Sequence, residues 1–339
     1  MAMNRRQALA ALASAPLWPW LGSATAGSAP TRVYSASPVT TYLLAALAPD
    51  VLVGWNFPPP AQAKGFFTPA VLAKPVVGGF FGQGKTPNTE ALLATRPELA
   101  IVSGATSVNI QESSEALARL GIPSRVIRLN SMDDYPAAIE QLGQWLGRSE
   151  AFAPKAAFCR SLLSEFAALP LPHPPPSAYY AEQADGLASE CPGSLHNEVP
   201  DRLRLRNPVQ CPGGQHNGFG MVRISAETLL AANPDWIITQ DMAAYQAFTQ
   251  QPRWQGLRAV QDRQVLLAPQ QPFRWLDRPP SIVRLIAVFW LYDRLYPGHH
   301  RFDLTELTQK FFQVLFNASL SKAAIESLLN PENRLHAPG

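Results

Sequence analysis

The chain has 339 residues, of which 47% are apolar and 16% charged, with a formal net charge of +3. That balance describes a globular chain, and its 33 prolines punctuate the sequence without forming a low-complexity tract. No basic stripe is present, which argues against nucleic acid as a partner.

Residues 1–26 read as an export leader. Arg5-Arg6 precede a short apolar run from Ala8 to Leu17, and Ala24-Thr25-Ala26 supplies a small-x-small cleavage site. The run is shorter than the roughly 20 apolar residues that cross a bilayer, and Pro16 and Pro19 would break a spanning helix. Arg5-Arg6 followed by Gln7-Ala8-Leu9 matches a twin-arginine address for folded export; an ordinary secretory leader is the alternative. The first cysteine is Cys159, so no lipid-anchor cysteine follows the leader. The expectation is a soluble, monomeric protein in the periplasm.

About 310 residues then remain, enough for two lobes. A repeat supports them. Glu90-Ala-Leu-Leu-Ala-Thr-Arg-Pro-Glu-Leu-Ala-Ile-Val102 recurs as Glu227-Thr-Leu-Leu-Ala-Ala-Asn-Pro-Asp-Trp-Ile-Ile-Thr239. Each copy predicts a short helix with an acid in its first turn, a proline stop and a buried strand. Strands are also predicted ahead of each copy, at 32–35 and 177–180, and after each, where 117–128 and 257–267 read as a helix end leading into a strand. Strands alternating with short helices predict an α/β fold of two similar lobes with parallel sheets. Between the lobes, Leu142, Trp145, Phe152, Ala156, Leu162 and Phe166 fall at helical spacing, with a break near residues 147–149. The expected organisation is an N-terminal α/β lobe at 27–147, a single linking helix at 148–170, a C-terminal α/β lobe at 171–297 and closing helices at 298–339, with the ligand cleft between the lobes.

Gly79-Phe-Phe-Gly-Gln-Gly-Lys-Thr86 matches the phosphate-loop pattern letter for letter. The match is rejected on physical grounds. A phosphate loop opens a long helix whose amides face the phosphates, whereas Pro87-Asn88 follows here and the next helix ends by Pro97. The strand at 99–102 runs into Ser103-Gly104, with no aspartate for magnesium. The glycines read instead as a tight turn at the lip of a cleft.

Ligands of open parallel sheets bind beyond the carboxyl ends of the strands. In the loops placed there, Tyr34, Trp55, Phe57, Phe80, Phe81, Tyr180, Phe273 and Trp275 would form an aromatic wall, with His196, Arg274 and Arg278 as polar groups. His196 with Glu198 is a weak metal-ligand pair; a hydrogen-bonded loop anchor is the other reading. No Ser-His-Asp, His-Glu-x-x-His or Cys-x-x-Cys arrangement is present, so no catalytic residue is assigned and an enzyme is not expected. Cys191 and Cys211 would pair in an oxidising compartment, or remain two buried thiols.

The repeat, the single linking helix, the run Trp275-Leu-Asp-Arg-Pro-Pro-Ser281, the stretch Tyr179-Tyr-Ala-Glu-Gln-Ala-Asp-Gly-Leu187 with Gly193-Ser-Leu-His-Asn-Glu198, and Asn233-Pro-Asp-Trp-Ile-Ile238 resemble the substrate-binding proteins of ABC importers for ferric siderophores, haem, cobalamin and related metal chelates. The resemblance covers residues 31–329. It implies capture of a metal chelate, a ferric siderophore first, and delivery to the transmembrane subunits of an ABC permease. A branch of the family implies the alternative of a small nickel complex or a molybdate-like oxyanion. A cleft hydrolase, or a sensor on the same fold, is the rival from another class. The resemblance also implies that Glu90 and Glu227 dock onto permease arginines and that Arg278 reaches the ligand, a salt bridge to Asp277 being the structural alternative. No cofactor is implied beyond the metal-chelate ligand. The two Cys-Pro pairs, at 191–192 and 211–212, depart from the family's pattern and weaken any transfer of ligand identity.

Overall fold

The computed structural model describes residues 28–80, 87–104, 106–209, 221–299 and 301–335. The leader, Phe81 and Cys211 lie outside the described residues. In chain order the first lobe contains β1 (Val33–Ser35), α1 (Pro38–Leu47), α2 (Pro69–Leu72), α3 (Thr89–Ala94), β2 (Leu99–Val102), α4 (Ser107–Arg119) and β3 (Ser124–Val126). Then come α5 (Tyr135–Trp145) and α6 (Ser149–Ala167). The second lobe holds β4 (Ala178–Ala181), β5 (Ala188–Glu190), α7 (Glu198–Arg202), β6 (Met221–Arg223), α8 (Ala226–Ala232), β7 (Trp236–Thr239), α9 (Met242–Gln250), α10 (Arg258–Gln261) and β8 (Val265–Leu267). The chain closes with α11 (Arg284–Leu295), α12 (Leu304–Phe316) and α13 (Lys322–Leu329).

The sheets β1-β2-β3 and β4-β7-β8 are parallel throughout, with the repeat's own strands, β2 and β7, in the centre of each. Side chains alternate across a strand, so each central strand feeds two cores. Leu99 and Ile101 enter one large core, while Ala100 and Val102 enter the first lobe's own. Likewise Ala178, Tyr180 and Ile238 join the large core, and Tyr179, Ala181 and Ile237 the second lobe's own. The large core therefore runs continuously beneath both lobes and gathers α1, α5, α6, α11, α12 and α13.

The repeat holds down to its backbone. Arg96 and Asn233 occupy equivalent places and both take left-handed conformations, φ 48° and φ 38°, ahead of Pro97 and Pro234. The acid after each proline then ties down the entrance to the neighbouring strand. Glu98 Oε2 accepts from the Thr31 amide at 2.7 Å, and Asp235 Oδ2 accepts from the Ser177 amide at 2.8 Å and its hydroxyl at 2.6 Å.

Two features go beyond the sequence expectation. The linking helix is no free-standing strut: α6 packs along α5 and buries Phe152, Ala156, Cys159, Leu162 and Phe166 in the shared core. The second lobe also carries an antiparallel ribbon, β5 against β6, with no counterpart among the described residues of the first. The chain turns back after β4 through Gln183 and Gly186, both at positive φ, and Glu182 accepts from and donates to Ala188. That turn places Glu182 and Glu190 on one side of the ribbon's root.

Candidate functional site

At the carboxyl ends of β4 and β7 a pocket of about 170 Å³ is lined by Ala181, Glu182, Gln183, Met221, Gln240, Asp241, Arg274 and Arg278. Its position is where ligands of parallel sheets bind. Gln240, just past β7, fastens the pocket floor. Its amide nitrogen donates to the Tyr180 hydroxyl at 2.8 Å and to the Asp277 carbonyl at 2.7 Å, and its oxygen accepts from the Leu276 amide at 3.3 Å. A single amide thus fixes the 275–278 loop to the end of the sheet.

Arg278 lines this pocket but is held by two carboxylates. Its Nε donates to both oxygens of Glu182, at 2.8 and 3.0 Å, and its Nη2 donates to Glu190. The Arg278 side chain is 20% exposed, Glu182 5% and Glu190 0%. The structural alternative of a salt bridge to Asp277 gives way to Glu182 and Glu190, because the antiparallel ribbon brings these two acids to the guanidinium. Asp277 pairs instead with His196 Nδ1. Complete burial pushes the Asp277 carboxyl above its ordinary range, against the opposing pull of His196.

Five members of the expected aromatic wall, Tyr34, Trp55, Tyr180, Phe273 and Trp275, are buried, whereas Phe57 and Phe80 are half-buried. Tyr34, Trp55 and Trp275 are fully buried, and each spends its polar atom on the backbone. Tyr34 Oη donates to the Gly78 carbonyl at 3.0 Å, Trp55 Nε1 to Val71 at 3.0 Å, and Trp275 Nε1 to Gln271 at 2.8 Å. Tyr180 lies beneath the floor, 2% exposed, and burial raises its hydroxyl well above the ordinary tyrosine value. These side chains enter the cores, and the described pocket lining mixes charged and amide groups with Ala181 and Met221. Phe81 lies outside the described residues.

His196 and Glu198 follow the loop-anchor reading, each with its own partners. His196 faces Asp277, whereas Glu198 takes the Met132 amide at 2.7 Å and the Arg284 guanidinium at 2.9 Å. The two therefore serve separate buried contacts, one of which ties the second lobe to residue 132. Among the described residues no group of three or more His, Cys, Asp or Glu side chains is placed to hold a metal ion. Cys159 is free and buried, and Cys191 is buried and disulfide-bonded. The Cys191–Cys211 pairing itself falls on a residue outside the described ones.

Glu90 and Glu227 are both exposed and sit one residue inside α3 and α8. The helix starts match: Asn88 accepts from the Ala91 amide at 3.0 Å, and Ser225 from the Thr228 amide at 3.1 Å. The Glu227 carboxyl is held below its ordinary range by its own amide and by Ser225. One turn later each helix shows an exposed leucine, Leu93 at 43% and Leu230 at 38%, while the preceding Leu92 and Leu229 are buried. Both lobes thus present the same acid–leucine pair.

Sequence reasoning placed the loops at 182–196 and 240–242 at the ligand end without singling out Glu182, Glu190 or Gln240, and it missed Met221. A signal for the first two existed: Asp185-Gly186 between them is a hairpin turn pair. Such a turn brings flanking residues together across a ribbon.

Comparison with known proteins agrees with this architecture. A sequence profile for periplasmic binding proteins matches residues 80–272. No curated protein matches the sequence. Among solved structures, an ABC transporter solute-binding protein from Sulfurospirillum deleyianum is 27% identical, with a TM-score of 0.80 over 88% of this chain and 94% of that one. Molybdate-bound MolA of Haemophilus influenzae is 17% identical, with a TM-score of 0.64 over 86% of this chain and 94% of that one. The vitamin B12 binding protein BtuF of Vibrio cholerae is 20% identical, with a TM-score of 0.58 over 79% and 97%. The last two share the fold. With more than half its length matched by the family profile, and both lobes built on one repeated unit, this chain belongs to the periplasmic binding protein family.

Proposed function

We propose that the protein captures a metal chelate outside the cytoplasm and delivers it to an ABC permease, docking through Glu90 and Glu227. The observation that carries this reading is the equivalence of the two acid–leucine pairs, one on each lobe at the same point of the repeat. A charge beside an exposed apolar side chain suits a protein partner, and two related patches suit a partner with two related subunits. No helix among the described residues is long and apolar enough to cross a membrane, in keeping with a protein that meets its permease by diffusion. Export by the twin-arginine route belongs to the same proposal.

Within the metal-chelate class, the charged groups and the lack of an aromatic ring in the described lining favour a small complex over an aromatic-rich ferric siderophore. The described walls contain no aromatic ring, and flat aromatic ligands gain most from stacking. A bare oxyanion of the kind held by MolA is the second reading, favoured by the two arginines. Native mass spectrometry of the protein recovered from its own periplasm tests the proposal. A co-purifying metal complex is expected; a bound metal-free organic ligand would contradict it.

A further inference from the structure

Arg274 is placed by its neighbours. Phe273 stacks on Tyr42, with ring centroids 3.8 Å apart and planes 7° apart, and the Trp275 indole is anchored on the Gln271 carbonyl at 2.8 Å. Both rings are buried, and Arg274 between them is exposed and lines the pocket. Fixed residues on either side hold the intervening backbone, so the guanidinium is presented to the pocket from a rigid base. Among the described residues no carboxylate lies within ion-pair distance of Arg274.

The other charges of the pocket are committed. Arg278 holds Glu182 and Glu190, and both Glu182 oxygens accept from it. Asp241 spends Oδ1 capping α9, accepting from the Ala243 and Ala244 amides at 2.9 and 3.3 Å, and its Oδ2 takes no hydrogen bond among the described residues. Among the described residues, the lining therefore offers one unpaired guanidinium and one unpaired carboxylate oxygen.

We propose that Arg274 recognises an anionic oxygen group of the ligand, and that Arg278 is a positioning residue. The ligand is then a metal chelate presenting carboxylate oxygens beside N–H or O–H donors, the former for Arg274 and the latter for Asp241. A guanidinium matches a carboxylate through paired N–H groups. A bare dianion fits less well, because it would set like charge against the Asp241 carboxylate, where a chelate with N–H or O–H donors can pair with it. This inference rests on the reading of the chain as a chelate-binding protein.

Isothermal titration of the mature protein with nickel(II) bis-histidine, ferric citrate and sodium molybdate tests it. At least one chelate should bind more tightly than molybdate. Arg274→Gln should weaken that binding by roughly tenfold or more without moving the melting temperature, and Arg274→Lys should restore only part of it. Arg278→Gln, by contrast, should lower the melting temperature. Native-like chelate binding by Arg274→Gln would overturn the assignment of Arg274 and leave the chelate-binding reading intact. Preference for molybdate would overturn the ligand class. Failure of all three probes to bind would overturn both.

Discussion

Arg278 grips Glu182 with one nitrogen on both carboxylate oxygens, at 2.8 and 3.0 Å, while the same guanidinium holds Glu190. One cation shared by two buried acids makes this loop dependent on an electrostatic lock. Arg278 also sits at φ 58°, a conformation that an L side chain adopts only when its surroundings hold it.

Arg278→Gln leaves Glu182 and Glu190 buried without their cation. Stability should fall by about 3 kcal/mol, the usual scale for breaking a buried pair. Denaturant unfolding measures it, and a loss below about 1 kcal/mol would show the lock to be dispensable. Adding Glu190→Gln to Arg278→Gln should recover part of the loss.

Acid should loosen both lobes at the repeat's clamps. Hydrogen bonds from Thr31 hold Glu98 below the ordinary carboxylate range, and those from Ser177 do the same for Asp235 despite its partial burial. A carboxyl lowered by folding contributes stability that is present above its unfolded pKa and lost as pH falls through the folded one. The melting temperature should therefore decline below about pH 4. Asp235→Asn should flatten part of that decline; an unchanged slope would remove Asp235 from the account.

Gly186→Ala tests the turn that brings the two acids together. Gly186 has φ 69°, and a Cβ there would lie 2.5 Å from the Phe248 ring. The buried ring has little room to retreat, so about 1–3 kcal/mol should be lost. Full stability in thermal unfolding would contradict the packing described here.

Trp55→Phe should cost stability and spare ligand binding, because Trp55 is wholly buried and its indole N–H is spent on Val71. Titration of the folded variant with a chelate that binds the native protein checks this. A large loss of affinity with intact melting would return Trp55 to the cleft.

The repeat was legible because its chemistry is local. A helix-start acid, a proline stop and a run of apolar residues act through near neighbours, and they forecast α3-β2 and α8-β7 correctly. The closing helices at 304–316 and 322–329 were legible by the same apolar periodicity. The site was not, because its partners are distant in sequence: Arg278 meets Glu182 96 residues away, and His196 meets Asp277 81 residues away. Aromatic residues misled for a related reason. Tyr34, in β1, and Trp275, in the loop after β8, could each be claimed by the pocket or the core, and both are wholly buried.

The central claim is delivery to a permease through two equivalent acids. Its most direct measurement is uptake of a chelated metal by cells carrying Glu90→Arg/Glu227→Arg, with the affinity of the same purified variant measured alongside. Uptake should fall to background while chelate affinity stays within about twofold of native, since both acids lie outside the described pocket. Native uptake by the doubly reversed protein would contradict the account.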